Sequence, residues 1–276
     1  MMSKQAAISV AIALSGSVIA PLANAADEAP FTLSANVNLV SDYYFRGLSQ
    51  TWHKPALQGG ADFSHSSGLY AGVWSSNVSG NQYAGGSQEV DYYGGYNAKL
   101  NDDLTLTAGV YGYYYPGADY SKATASVYER QSYNTVELNA GASWKWLSGK
   151  YSYAVTDYFG INQKTGYDGD SKGTGYLELN ASYNVTDDIV LAAHIGWTHI
   201  TAKLANGATT VGGASDPSYK DYKLAVTKTF KDGWNLGLAY VQASNSAFYD
   251  KTASAVGSDT TDLGKGRLVV SAGRSF

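Results

Sequence analysis

Ile189-Val190-Leu191-Ala192-Ala193-His194-Ile195-Gly196-Trp197-Thr198 alternates between two faces. Ile189, Leu191, Ala193, Ile195 and Trp197 fall on one, and Val190, Ala192, His194, Gly196 and Thr198 on the other. A period of two is the mark of a β-strand, not of a helix. The same pattern recurs upstream. In Tyr176 to Val185, Leu177, Leu179, Ala181, Tyr183 and Val185 alternate with Tyr176, Glu178, Asn180, Ser182 and Asn184. From Thr135, the apolar set Val136, Leu138, Ala140, Ala142 and Trp144 alternates with Thr135, Glu137, Asn139, Gly141 and Ser143. One such segment occurs in any half-buried strand. A series of them, each roughly ten residues long, is the signature of a transmembrane barrel.

About twelve strands of spanning length follow from this reading. They start near Phe31, Ala56, Leu69, Gln88, Leu104, Tyr133, Lys150, Thr174, Ile189, Ser218, Trp234 and Lys265. Short turns rich in Asn, Asp, Gly and Ser fall at 65–68, 101–103, 147–149, 187–188 and 231–233, as tight hairpins favour. Longer polar stretches lie near 48–55, 80–87, 116–132, 160–173, 200–217 and 245–264. The fold class predicted is all-β: a transmembrane antiparallel up-and-down barrel with short periplasmic turns and longer external loops. An even strand count lets the first and last strands pair, which removes both sheet edges.

Composition agrees. The 276 residues include 24 Tyr and 31 Gly but no Cys, which rules out a disulfide framework, a thiolate metal site and a cysteine nucleophile. A soluble sandwich of this length would need bulkier packing residues than the Gly and Ala that fill many alternating slots. Aromatics near strand ends (Tyr43, Phe45, Trp144, Trp146, Trp197, Trp234) suit interfacial girdles. The run Tyr111-Gly112-Tyr113-Tyr114-Tyr115 reads more readily as girdle than as an inward ladder. The net charge of -4, with no basic run, gives no reason to expect nucleic acid.

Residues 1–25 read as a signal peptide: Lys4, an apolar stretch from Ala6 to Leu14, and Ala23-Asn24-Ala25 as a small-x-small cleavage site. Residues 26–276 form the barrel. Export through the periplasm to a bacterial outer membrane follows, with membrane lipid and a small hydrophilic solute as the expected partners.

The candidate pore-lining residues come from parity: Asp42, Arg46, Glu89, Asp91, Glu137, Lys145, Glu178, His194, Asp221 and Lys223, with Asp62, Lys99 and Arg267 in the same pattern. In a water-filled lumen such charges sort solutes by sign. In a filled one they pair and plug it. Arg46, sharing parity with Asp42 and Tyr44, is expected either to pair with an inward acid at a constriction or to anchor a loop at the rim. His194 faces inward without a flanking serine pattern, so an enzyme is not expected. No cofactor or metal motif is present, and Asp168 and Asp170 are two carboxylates where calcium wants about six or more oxygens.

Three blocks, Ser41-Asp42-Tyr43-Tyr44-Phe45-Arg46-Gly47-Leu48-Ser49-Gln50-Thr51, Pro55-Ala56-Leu57-Gln58-Gly59-Gly60 and Ser67-Gly68-Leu69-Tyr70-Ala71-Gly72-Val73-Trp74, resemble the TorF family of porins. Tyr114-Tyr115-Pro116-Gly117 and the run from Tyr151 to Gly160 resemble it too. The resemblance spans the mature chain and implies an outer-membrane barrel that forms a pore; it supplies no binding or catalytic residues. The function expected is passive diffusion of small hydrophilic solutes through a narrow channel. The alternatives are a plugged barrel with a structural or surface role and, behind it, an outer-membrane hydrolase.

Overall fold

The computed structural model describes residues 30–276 apart from 125–126. The leader expected over residues 1–25, with its cleavage after Ala25, lies outside the described residues. Among the described residues, twelve long strands close one antiparallel barrel. They are β1 (Phe31–Val40), β2 (Ala56–His65), β3 (Leu69–Asn77), β4 (Gln88–Lys99), β5 (Leu104–Tyr114) and β6 (Thr135–Trp144). β7 (Leu147–Ala154), β8 (Gly175–Asn184), β9 (Ile189–His199), β10 (Tyr219–Thr229), β11 (Trp234–Ala243) and β12 (Arg267–Ser275) complete it. Each strand pairs with its sequence neighbours, and β12 returns to β1 with Arg274 opposite Val37. Closure leaves the barrel without a free edge.

The outer surface explains why the sheet closes in lipid and not in water. Leu33 is 69% exposed and Leu268 66%, and Leu39, Leu57, Val73, Leu138, Leu224 and Val270 are exposed in the same way. A continuous exposed apolar band of this kind is what a bilayer covers. Trp144, Trp146, Trp234 and Phe276 gather at the end that carries the short turns and suit an interfacial girdle.

One expected turn is displaced. The chain reverses at Lys145 and Trp146, not at Leu147-Ser148-Gly149, and β7 starts at Leu147 with Ser148 opposite Ser143. A two-residue hairpin loop needs left-handed backbone. Lys145 adopts it at φ 54°, held by its own N–H donating to Asp103 O at 3.0 Å.

Inside, burial changes along the barrel axis. On β1 the inward residues Thr32 and Ser34 are exposed, Asn36 is half-buried, and Asn38 and Val40 are buried. On β8, Asn184 and Ser182 are exposed while Glu178 and Tyr176 are buried. The end with the short turns is therefore an open vestibule walled by small polar side chains. The other half is filled, and the filling comes from a loop.

Candidate functional site

The connection between β1 and β2, residues 41–55 (loop 1), turns inward and not out into solvent. Asp42, Tyr43, Tyr44, Arg46, Gly47, Ser49, Gln50 and Thr51 are all buried. A two-residue ladder, Tyr44 opposite Ser49 and Phe45 opposite Leu48, shapes its tip. Arg46 (φ 46°) and Gly47 (φ 77°) make the reversal. Gly47 is required there by space as well as by backbone: a Cβ would sit 2.5 Å from Asp221 Cβ on β10.

The base of the loop is tied down by Asp42. Its carboxylate accepts from Ser49 Oγ at 2.7 Å and Thr51 Oγ1 at 2.9 Å, and lies 2.6 Å from His53 Nδ1. Gln50 O accepts from Ser79 N, and Leu263 O accepts from Ser49 N, so two other external loops clasp the first. Aromatic packing fills the gaps. Tyr43 meets Trp74 edge-on at 5.4 Å, and Phe45 meets Tyr113 at 5.3 Å and Phe159 at 5.6 Å.

At the tip, Arg46 reaches β6. Nη1 donates to Glu137 Oε1 at 2.9 Å and Nη2 to Oε2 at 2.7 Å, a two-pronged, fully buried pair. Nη1 also donates to Tyr158 OH at 3.1 Å, and the guanidinium lies 4.0 Å over the Tyr176 ring. Tyr176 links this pair to a second polar network. Its hydroxyl donates to Asp221 at 3.2 Å and sits 3.0 Å from His194 Nε2. His194 Nε2 is 2.8 Å from Asp221 Oδ1, and Nδ1 is 2.6 Å from Asn180 Oδ1. Lys150 Nζ pairs with Glu178 at 2.7 Å, and Lys223 stands opposite His194 on the neighbouring strand.

These contacts decide where the sequence-derived candidates sit. Glu137, Glu178, His194, Asp221 and Lys223 face inward and, with Arg46, surround the middle of the lumen. Asp42 and Arg46 are not on the first strand, which ends at Val40; they ride on the inward loop. Glu89 and Asp91 face inward but lie beneath loop 1, at 0% and 2% exposure. Lys145 corrects the parity reading. It occupies the tight turn at the vestibule rim, 3.6 Å from Asp103 and over the Trp144 ring, because alternation stops where the hairpin begins. The same displaced turn hid Lys150: with β7 starting at Leu147, Ser148, Lys150 and Ser152 share the inward parity.

The aromatic assignments change as well. Tyr113 and Tyr115 are buried, and Tyr111 stacks on Tyr93 at 5.0 Å, so these form the inward ladder and not a girdle. Tyr43 and Phe45 belong to the lumen for the same reason as Arg46. His194 has Asn180, Asp221 and Tyr176 around its two nitrogens, and among the described residues no serine or threonine hydroxyl joins it.

A closed barrel with a lipid-facing belt, a polar vestibule and an inward loop defines a transmembrane β-barrel of the outer-membrane type. The chain belongs to the Gcw_chp family, described as bacterial protein of unknown function, whose model matches residues 24–276. That match carries the Gcw_chp description and not the TorF name. No curated protein matches the chain. Among solved structures, the KdgM porin in complex with disordered oligogalacturonate superposes with a TM-score of 0.51 at 9% identity, covering 88% of this chain and 98% of that one. The NanC porin gives 0.49 at 12% identity, covering 89% and 99%. An outer membrane channel from Pseudomonas putida F1 gives 0.47 at 15% identity, covering 92% and 100%. At 9% identity the likeness to the KdgM porin is one of fold.

Proposed function

We propose that the protein is a narrow outer-membrane channel that passes small hydrophilic solutes by diffusion, with loop 1 setting the constriction. The observation that carries this reading is the change along the lumen: an open vestibule of small polar side chains leads to a ring of charges around Arg46 and Glu137. Barrels of about eight strands are filled by side chains and those of 16–18 hold an aqueous channel, so twelve strands narrowed by a loop suit a restricted pore. The belt supports an outer-membrane location, and the TorF resemblance points to the same class.

A second reading has its own observation. The buried cluster of Tyr43, Tyr44, Tyr83, Tyr113, Tyr115 and Tyr133 packs the external half as a core would, which suits a plugged barrel with a structural role. Planar-bilayer recording in a salt gradient separates the two. Discrete open steps support the channel, and their reversal potential reads its charge preference; a folded barrel that stays electrically silent supports the plug.

A further inference from the structure

Glu89 and Asp91 are two residues apart on β4, so the strand's period points both into the barrel. Loop 1 seals them from solvent. Tyr43, Tyr115 and Asp91 stand around the Glu89 carboxyl, and Tyr111 OH donates to Asp91 Oδ2 at 2.9 Å. Yet neither carboxyl oxygen of Glu89, nor Oδ1 of Asp91, receives a hydrogen bond of ordinary geometry. Among the described residues neither carboxylate has an ion-pair partner, and the nearby guanidinium of Arg46 is taken by Glu137. Two carboxylates side by side, buried and unpaired, need a compensating positive charge. A single proton shared between the two carboxyls is the competing way to neutralise the pair.

We infer that Glu89 and Asp91 form a binding site for a hard divalent cation between the β4 wall and loop 1. The donor set fits that class. Carboxylates and the hydroxyls of Tyr43, Tyr111 and Tyr115 offer oxygen and no sulfur or imidazole nitrogen. Oxygen donors suit Ca²⁺ and Mg²⁺ and not the softer transition metals. One or two carboxylates with water are the usual protein share of a Mg²⁺ shell, and Ca²⁺ takes more oxygens at longer distance. Because Tyr43 belongs to loop 1, an ion here fastens the loop to the wall. The inference goes beyond the channel reading and does not rest on it, since an occupied site is equally compatible with a plug.

The test uses the full protein in detergent, stripped with EDTA and titrated separately with CaCl₂ and MgCl₂. Expected are a saturable heat of binding with a stoichiometry of one and a rise in the unfolding midpoint on the order of 5 °C at about a hundredfold excess over Kd. Glu89→Gln combined with Asp91→Asn should lose both signals, whereas Asp188→Asn, at a turn on the far side of the membrane, should keep both. An equal response in the double variant overturns the site. So does a wild-type protein that gives no saturable heat and whose melting follows pH alone, the result a shared proton predicts. Should the double variant fail to fold, the wild-type titration decides: saturation at one ion supports the site, and its absence overturns it.

Discussion

Arg46, at the tip of an inward-folded loop, grips Glu137 on the opposing wall through two parallel hydrogen bonds of 2.9 and 2.7 Å. The pair joins residues 91 apart in sequence and spans the lumen at its most crowded level. Exposed ion pairs are worth little, but removing one partner of a buried pair strands the other charge.

Arg46→Ala should therefore loosen loop 1 by about 3–5 kcal/mol, since Glu137 would keep only the Tyr113 hydroxyl at 3.3 Å. The expected result is a larger or noisier single-channel conductance in a barrel that still assembles. Arg46→Lys keeps the charge but not the fork and should fall between the two. Conductance indistinguishable from wild type in both variants would falsify the constriction role of the loop.

Gly47→Ala tests the tip independently of charge. The new methyl would meet Asp221 Cβ in a left-handed backbone, at a cost on the order of 1–3 kcal/mol or more. Limited trypsin treatment from the outside reads the outcome. Cleavage after Arg46 should be fast in the variant and slow in the wild type; equal resistance would mean that the tip tolerates displacement.

Lys150→Met removes the cation that pairs directly with Glu178 and leaves that carboxylate with the Lys223 ammonium and with His194 Nδ1 at 3.9 Å. The lumen becomes more negative, so the reversal potential in a salt gradient should move toward cation preference. An unmoved reversal potential would place the ion path away from this ring.

Asp119, at the start of a short turn in the external loop between β5 and β6, makes a pH prediction. Burial alone would raise its pKa, but hydrogen bonds from Ser121 Oγ (2.6 Å), Ser121 N (3.0 Å) and Gln131 N (3.3 Å), with Arg130 nearby, hold it below the ordinary carboxylate value. A depressed folded-state pKa gives stability that is complete above the unfolded value, about 3.9, and is lost as pH falls through the lower folded one. Hydrogen exchange at the Ser121 and Gln131 amides should accelerate only under that acidification. In Asp119→Asn, which does not titrate, the acid-linked step should vanish.

Much of the architecture was legible because strand parity is a local property. Leu177, Leu179 and Ala181 against Glu178, Asn180 and Ser182 need no partner strand to declare their two faces. The misread turn shows where such reading ends. Ser148-Gly149 looks like a hairpin loop by residue type, but the pairing of Trp144 with Leu147 makes Lys145 and Trp146 the turn. As a result Lys145 moves from the lumen to the rim, and Lys150, absent from the residues chosen by parity, takes its place in the lumen.

By itself, the sequence determined the closed antiparallel barrel, its apolar belt, its polar lining and the end that carries the long loops. Each follows from side-chain period and loop length, which are written residue by residue. Only the tertiary structure decided that loop 1 enters the lumen, that Arg46 meets Glu137, and that Glu89 and Asp91 lie sealed beneath Tyr43. Those facts depend on contacts between segments far apart in the chain. The energy that turns a polar loop inward comes from buried partners on strands it never adjoins in sequence.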